Sequence, residues 1–182
     1  MKSTILFIYV KQVINMNVRY FAESEQKCIE LFRAFNDGKL HLEHTGATPE
    51  KYDFDASGIT KNGEKVSIEL KRRNYHLSDD LKLVRDDDGN SFDGIFIESH
   101  KLLELWARYI AYGEITLYVN FLSDGKIALF NLGKITKYEK AKKKIQSKGY
   151  EGFEISTRVI LSMDDAWIYD NNCQLIHKPH DK

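Results

Sequence analysis

The sequence predicts one α/β domain, a mixed central β-sheet flanked by helices, and three observations lead to this fold class. Helical periodicity covers residues 23–36 and 101–111, with several extended runs between and after them. Two pairs of strand-like runs are joined by short polar loops that contain glycine, at 61–64 and 123–125. The chain has 182 residues, 42% of them hydrophobic, which is enough for one domain with its own core. Helices alternating with strands favour layers of helix on sheet.

The first residues of the chain are expected to lie outside this domain. Residues 1–15 are expected to be an N-terminal extension and residues 16–182 the domain, because the segment Met16–Arg19 would serve as a natural start. The apolar run Ile5–Val10 is too short for a signal-peptide core or a membrane span. Two cysteines, Cys28 and Cys173, do not suggest a disulfide framework. We therefore expect a cytoplasmic protein without a membrane partner.

Charge gives no global signal for nucleic acid. The formal net charge is zero, so any DNA binding must rest on local patches. The segment Gly133–Lys148 holds seven lysines and is expected to be a helix. These lysines form either a solvated face or a patch that binds nucleic-acid backbone without sequence preference.

The first helix is predicted from an apolar stripe. Cys28, Ile29, Phe32 and Phe35 recur at three-to-four spacing, and residues 36–38 (Asn-Asp-Gly) supply a stop. Glu25 lies on the same stripe. It is either an acid that complements the helix dipole or an additional acid that approaches a site from the helix.

A β-hairpin carries the candidate site. The extended runs Tyr52–Thr60 and Lys65–Arg73 are separated by four residues that include Asn62-Gly63, a strong hairpin signal. If Gly63 takes the left-handed position of a three-residue loop, two aspartates face two functional residues of the second strand. The opposing pairs are then Asp55 with Glu69 and Asp53 with Lys71, all on one face. A two-residue turn would slip the pairing by one and place apolar side chains there instead.

These four side chains suit metal-assisted chemistry. Two neighbouring carboxylates form a hard oxygen site that magnesium prefers, and such an ion polarises a phosphodiester and acidifies a bound water. A lysine two residues after the glutamate points to the same face, where its charge could orient water or stabilise a charged transition state.

The arrangement resembles the PD-(D/E)XK nuclease superfamily, which includes restriction endonucleases and Holliday-junction resolvases. The resemblance covers roughly residues 20–132 and lies in an aspartate on one strand followed by Glu69-Leu70-Lys71 on the next. It implies a restriction-endonuclease-like sandwich, with Asp55 or Asp53 and Glu69 as metal ligands and Lys71 as the catalytic lysine. The motif's proline is not adjacent, since the nearest is Pro49. The choice between the two aspartates stays open, with Asp55 favoured because it would face Glu69.

Further roles follow from the same resemblance. It implies a DNA endonuclease that uses magnesium, which manganese can replace, and that often acts as a homodimer. Glu25 would be an outer catalytic acid. The basic exit from the second strand, Arg72 and Arg73, would hold the DNA backbone, and Lys101 at the start of the second helix is a candidate phosphate contact.

The remaining elements are expected to support this site. Residues 74–90 are predicted to be a solvated acidic loop, and 171–182 a polar tail. The helix Lys101–Ala111 is predicted to bury a stripe that includes Tyr109 and Ile110. The runs Glu114–Phe121 and Lys126–Leu132 should form a second hairpin that extends the sheet.

Two alternatives of other classes remain. One is a non-catalytic DNA- or protein-binding domain that retains the nuclease scaffold. The other is an enzyme that uses the acidic cleft on a small phosphorylated substrate, for which a closed pocket is expected in place of an open groove.

Overall fold

The structure is a computed structural model that describes residues 26–45, 54–146 and 153–179. Helix α1 covers residues 26–36, and helix α2 is Ser99–Tyr112. The strands in chain order are β1 Leu40–Thr45, β2 Ala56–Thr60, β3 Lys65–Arg72, β4 Tyr75–Leu77, β5 Leu83–Arg85, β6 Ser91–Phe92, β7 Gly94–Glu98, β8 Ile115–Phe121, β9 Ile127–Asn131, β10 Glu139–Gln146, β11 Phe153–Ser162, β12 Trp167–Tyr169 and β13 Leu175–His177.

A mixed sheet of seven strands forms the centre, in the order β1-β2-β3-β8-β9-β12-β13. Strands β3 and β8 are parallel, and the other neighbours in this sheet are antiparallel. A parallel pair requires a long crossover, and here it contains β4 to β7 and α2. Two three-stranded sheets, β10-β11-β7 and β4-β5-β6, complete the fold. The predicted α/β class with a mixed central sheet is confirmed.

The two faces of the central sheet are covered by different elements. Helix α1 packs its predicted apolar stripe on one face, against alternate residues of β3 such as Ile68 and Leu70. Helix α2 and the β7–β11 pair cover the other face, through residues such as Leu105 and Ile97. Because side chains alternate along a strand, Glu69 and Lys71 point to the α2 side. The candidate site therefore lies between the sheet and α2.

The buried stripe predicted for α2 is partly wrong. Leu102 and Leu105 are buried, but Tyr109 is 45% exposed and Ile110 is 79% exposed. The helix ends at Gly113, which has a φ of 67° and donates its N–H to the Tyr109 carbonyl. Apolar periodicity thus continues for a turn beyond the residues that the sheet covers.

The lysine-rich segment is a strand and not the predicted helix. After a 3₁₀ turn at Leu132–Lys134, β10 pairs antiparallel with β11 along its whole length. Lysine has a favourable but weak helix propensity. Cross-strand pairing with the ten-residue strand β11 outweighs that preference. The segment 74–90 and the polar tail also contain strands that were not expected, namely β4, β5 and β13. No helix in the described residues is long and apolar enough to cross a membrane.

Candidate functional site

The hairpin of β2 and β3 has the register that the site requires. The Thr60 N–H donates to the Glu64 carbonyl at 2.9 Å, which closes a three-residue loop. Gly63 in that loop has a φ of 85°, the left-handed conformation. The pairs Gly58–Val66 and Ala56–Ile68 continue this register. The three-residue loop is confirmed, and the two-residue alternative is wrong.

Asp55 lies just beyond the paired part of β2. The first strand was predicted to include it, but the described strand begins at Ala56. The Asp55 N–H donates to the Ile68 carbonyl at 2.9 Å, and its carboxylate Oδ2 accepts the Leu70 N–H at 2.8 Å. These two bonds hold Asp55 against β3 at Ile68 and Leu70, the residues before and after Glu69. Because Asp55 bonds to the residues before and after Glu69, its negative charge adds to the effect of burial in raising the pKa of Glu69.

Glu69 is the most unusual residue of the site because its carboxylate is buried. The residue is 0% exposed. Its Oε1 lies 2.7 Å from Lys71 Nζ, and its Oε2 lies 3.6 Å from Lys101 Nζ. Burial raises the pKa of Glu69, the charge of Lys71 opposes that shift, and Asp55 adds to it. One carboxylate is thus held between two cations, one from β3 and one from α2.

Lys71 is a cation in this environment. Burial by itself would lower its pKa, but Glu69 and Asp55 outweigh that effect and hold the pKa above its usual value. A lysine with a raised pKa keeps its proton at neutral pH. It can therefore orient water or stabilise negative charge, but it is a poor general base.

The donor set fits a hard divalent cation. Among the described residues, the Glu69 oxygens accept no hydrogen bond from a backbone or hydroxyl group, and they lie beside the ammonium groups of Lys71 and Lys101. A buried carboxylate that is compensated only by cations is suited to binding a further cation. The described residues hold no group of three or more His, Cys, Asp or Glu that could bind a metal. Two carboxylates with the remaining ligands from water or phosphate match how magnesium is usually bound.

The predicted basic residues have different environments. Arg72 is exposed at the end of β3. Arg73 turns inward, where it donates to Asn120 Oδ1 at 3.1 Å and to the Phe96 carbonyl at 2.7 Å, and also contacts the Tyr118 hydroxyl. Lys101 is largely buried beside Glu69. DNA contacts by these residues stay predictions, but the guanidinium of Arg73 is engaged within the protein.

Two predicted acids, Asp53 and Glu25, lie outside the described residues. Their roles, and the choice between Asp53 and Asp55 as principal metal ligand, therefore stay predictions. Asp55 has the geometry described above to support it.

Sequence reasoning missed the polar face of β8. Tyr118 is the register partner of Glu69, and Asn120 is the partner of Lys71. Both are fully buried, and burial raises the pKa of Tyr118. Thr116, Tyr118 and Asn120 occupy every second position of an otherwise apolar strand. That alternation is the signal that could have identified them.

Comparison with known proteins shows distant similarity to solved structures. No family model matches the chain, and no curated protein matches its sequence. Hjc, a Holliday junction resolvase from the archaeal hyperthermophile Archaeoglobus fulgidus, is 11% identical, with a TM-score of 0.42. The similarity covers 74% of this chain and 94% of that one. It is too distant to assign a family or an activity.

Proposed function

We propose that this protein is a metal-dependent endonuclease that hydrolyses DNA phosphodiester bonds. The observation that supports this most strongly is the buried Glu69 carboxylate, held beside Asp55 and between two lysines. A buried ionisable group of this kind is costly for folding, and replacement by apolar residues is often neutral or stabilising. A buried carboxylate with a raised pKa that lies together with cations is therefore a candidate for catalysis.

Each residue would have a distinct role in this reaction. Asp55 and Glu69 would hold the metal, magnesium or manganese, with Asp53 as a further ligand and Glu25 as an outer acid. When bound, the ion would polarise the phosphate and lower the pKa of a water molecule bound to it. Lys71 would donate hydrogen bonds to the attacking water or to the phosphate oxygens and so stabilise the charge of the transition state. Arg72, exposed at the end of β3, would contact the DNA backbone.

A panel of DNA substrates tests this proposal. Supercoiled, linear, single-stranded and branched DNA should be incubated with the full chain in magnesium, in manganese and in EDTA. Cleavage that requires a divalent ion is the expected result. A folded protein that cuts none of these DNAs in either metal would instead favour a non-catalytic binding domain on the same scaffold.

The expected homodimer is a separate proposal, and sedimentation at several protein concentrations is its test.

Lys101 is expected to contribute to catalysis from its position beside the Glu69 carboxylate. Lys101→Met removes the charge 3.6 Å from Glu69 Oε2 while it keeps much of the side-chain volume. We expect kcat/KM to fall about tenfold, because one of two cations near the reacting phosphate is lost. The matched control is Lys65→Met, because Lys65 is an exposed lysine at the first residue of β3. Equal rates for both variants would show that Lys101 does not contribute to catalysis.

A further inference from the structure

The charges of the candidate site are balanced without a metal. Within the described part of the chain, its two carboxylates belong to Asp55 and Glu69. Its two ammonium groups belong to Lys71 and Lys101. A divalent ion bound to the carboxylates would therefore leave this set with an excess of positive charge. Like charges a few ångströms apart repel most strongly where water is excluded, so binding of the ion is favoured if one lysine moves away.

Lys71 is held firmly at the site. Its Nζ lies 2.7 Å from Glu69 Oε1, which is a hydrogen-bond distance. Lys71 follows Glu69 by two residues on β3, so the backbone of that strand keeps both side chains on one face. The negative charges of Glu69 and Asp55 raise the pKa of Lys71. Lys71 is therefore not the cation that yields.

Lys101 is held more loosely. Its Nζ lies 3.6 Å from Glu69 Oε2, which is longer than an N–H···O hydrogen bond. Its long side chain belongs to α2 and is 23% exposed, so it can rotate without movement of β3. Lys101 lies in the first turn of α2, which contains no acidic residue, and the N-terminus of a helix disfavours a cation. Glu69, and not the helix itself, therefore favours the observed position of Lys101.

A second carboxylate lies within reach of Lys101 on the same helix. Glu104 Oε2 lies 4.0 Å from Lys101 Nζ, and residues three apart on a helix are neighbours. This oxygen is shielded from solvent and accepts no hydrogen bond from the described residues. Lys101 thus has a second anionic partner that is already in place.

We propose that Lys101 is an exchangeable counter-ion, which neutralises Glu69 in the metal-free protein and moves to Glu104 when a divalent ion binds. The exchange keeps the buried Glu69 carboxylate compensated in both states, and so avoids an unpaired buried charge. It also lowers the affinity for the ion, because the pairing of Lys101 with Glu69 must first be lost. An ammonium group released from Glu69 could then reach a phosphate oxygen, in line with the slower cleavage expected for Lys101→Met. The inference rests on the metal binding of the proposed function, but it does not require cleavage.

Magnesium titrations without DNA test the exchange. Isothermal titration calorimetry with the full chain gives the Kd for magnesium in each variant. Lys101→Met should bind magnesium about fivefold more tightly than wild type, because no ion pair has to be broken, and this factor is the upper end for a partly exposed pair. Lys65→Met is the matched control, since this exposed lysine begins β3, and its Kd should equal that of wild type. Unchanged or weaker magnesium binding by Lys101→Met would overturn the inference.

A double-mutant cycle distinguishes an exchange from a fixed charge. Glu104→Gln removes the partner that receives Lys101, so magnesium binding should weaken by about two- to fivefold. In the Lys101→Met background the same substitution should have no effect, because no lysine is left to be received. A fixed charge at Glu104 would instead change the magnesium affinity equally in both backgrounds. Additive effects would therefore contradict the exchange.

The movement of Lys101 can also be followed in the wild-type chain, so this test does not depend on the folding of a variant. Acetylation by an N-hydroxysuccinimide ester, measured for each lysine by mass spectrometry, reports how accessible the amine is. Magnesium should raise the acetylation rate of Lys101, because the Glu69 side chain is 1% exposed and that of Glu104 is 36% exposed. Lys126 is the internal reference, since its Nζ stays 2.8 Å from Asp124 Oδ2. A Lys101 rate that does not rise relative to Lys126 would speak against the movement.

These measurements also separate the inference from the proposed endonuclease. Tighter magnesium binding by Lys101→Met, in a protein that cuts no DNA, would refute the endonuclease and retain the exchange. Metal-dependent cleavage by a protein whose magnesium affinity is the same in wild type and Lys101→Met would do the reverse. A wild-type chain that binds neither magnesium nor manganese would overturn both.

Discussion

Glu69→Gln should abolish metal-dependent cleavage, with kcat reduced by about 10²- to 10³-fold or more, the range for losing a group that stabilises transition-state charge. Glutamine has the same shape but no negative charge, so the ion would lose one of its two carboxylates. The loss should also be visible without DNA. In wild type, magnesium at tenfold excess over Kd should raise the free energy of unfolding by about 1.4 kcal/mol. That corresponds to a Tm increase of roughly 3–6 °C for a chain of this size.

The control for this variant is Glu64→Gln, which changes an exposed glutamate next to the loop of the same hairpin. It should cleave DNA and gain stability from magnesium as wild type does. Thermal melts with and without magnesium therefore distinguish a lost metal site from a damaged fold. A Glu69→Gln protein that still gains the full Tm increase would show that the ion binds elsewhere.

The buried carboxylate also gives the metal response a pH dependence. The pKa of Glu69 is raised, mainly by burial, so the folded protein holds this proton more tightly than the unfolded chain. Its contribution to stability without metal is complete below the ordinary pKa of glutamate and is lost as pH rises through the raised value. Metal requires the ionised form, so the magnesium-induced Tm increase should shrink as pH falls through that same raised value. In Glu69→Gln the increase should be small at every pH.

The sequence predicted the parts of this site that are set by neighbouring residues. Asn62-Gly63 determines the loop, and the loop sets which residues of β2 and β3 face each other. A period-two pattern then places Glu69 and Lys71 on one face. The apolar stripe of α1 was predicted for the same reason, since three-to-four spacing depends only on the helix itself.

The parts that the sequence did not reveal depend on the crossover between β3 and β8. Lys101 reaches Glu69 only because α2 returns across the sheet after 31 intervening residues, and no local pattern encodes that distance. The inward turn of Arg73 depends on Asn120 and Tyr118, which are likewise distant in sequence. The strand β10 shows the same limit, because its conformation is decided by its partner β11.

Lys71→Met should reduce kcat by about 10²- to 10³-fold while metal binding persists. In thermal melts, this variant should keep the magnesium-induced Tm increase that Glu69→Gln loses. Methionine fills a similar volume but cannot donate a hydrogen bond to water or phosphate. Loss of the cation 2.7 Å from Glu69 Oε1 leaves that carboxylate with less compensation. A divalent ion should therefore bind at least as tightly as in wild type, and the magnesium-induced Tm increase should be equal or larger.

The same substitution should destabilise the metal-free protein. Removing one partner of a fully buried ion pair costs about 3–5 kcal/mol. The expected loss here is smaller, about 1–2 kcal/mol, because the Lys71 side chain is 36% exposed and Lys101 remains beside Glu69. Denaturant unfolding in EDTA measures this loss, and added magnesium should recover part of it. If Lys71→Met also lost the magnesium effect, the lysine would be needed to shape the metal site, and its role could not be limited to the transition state.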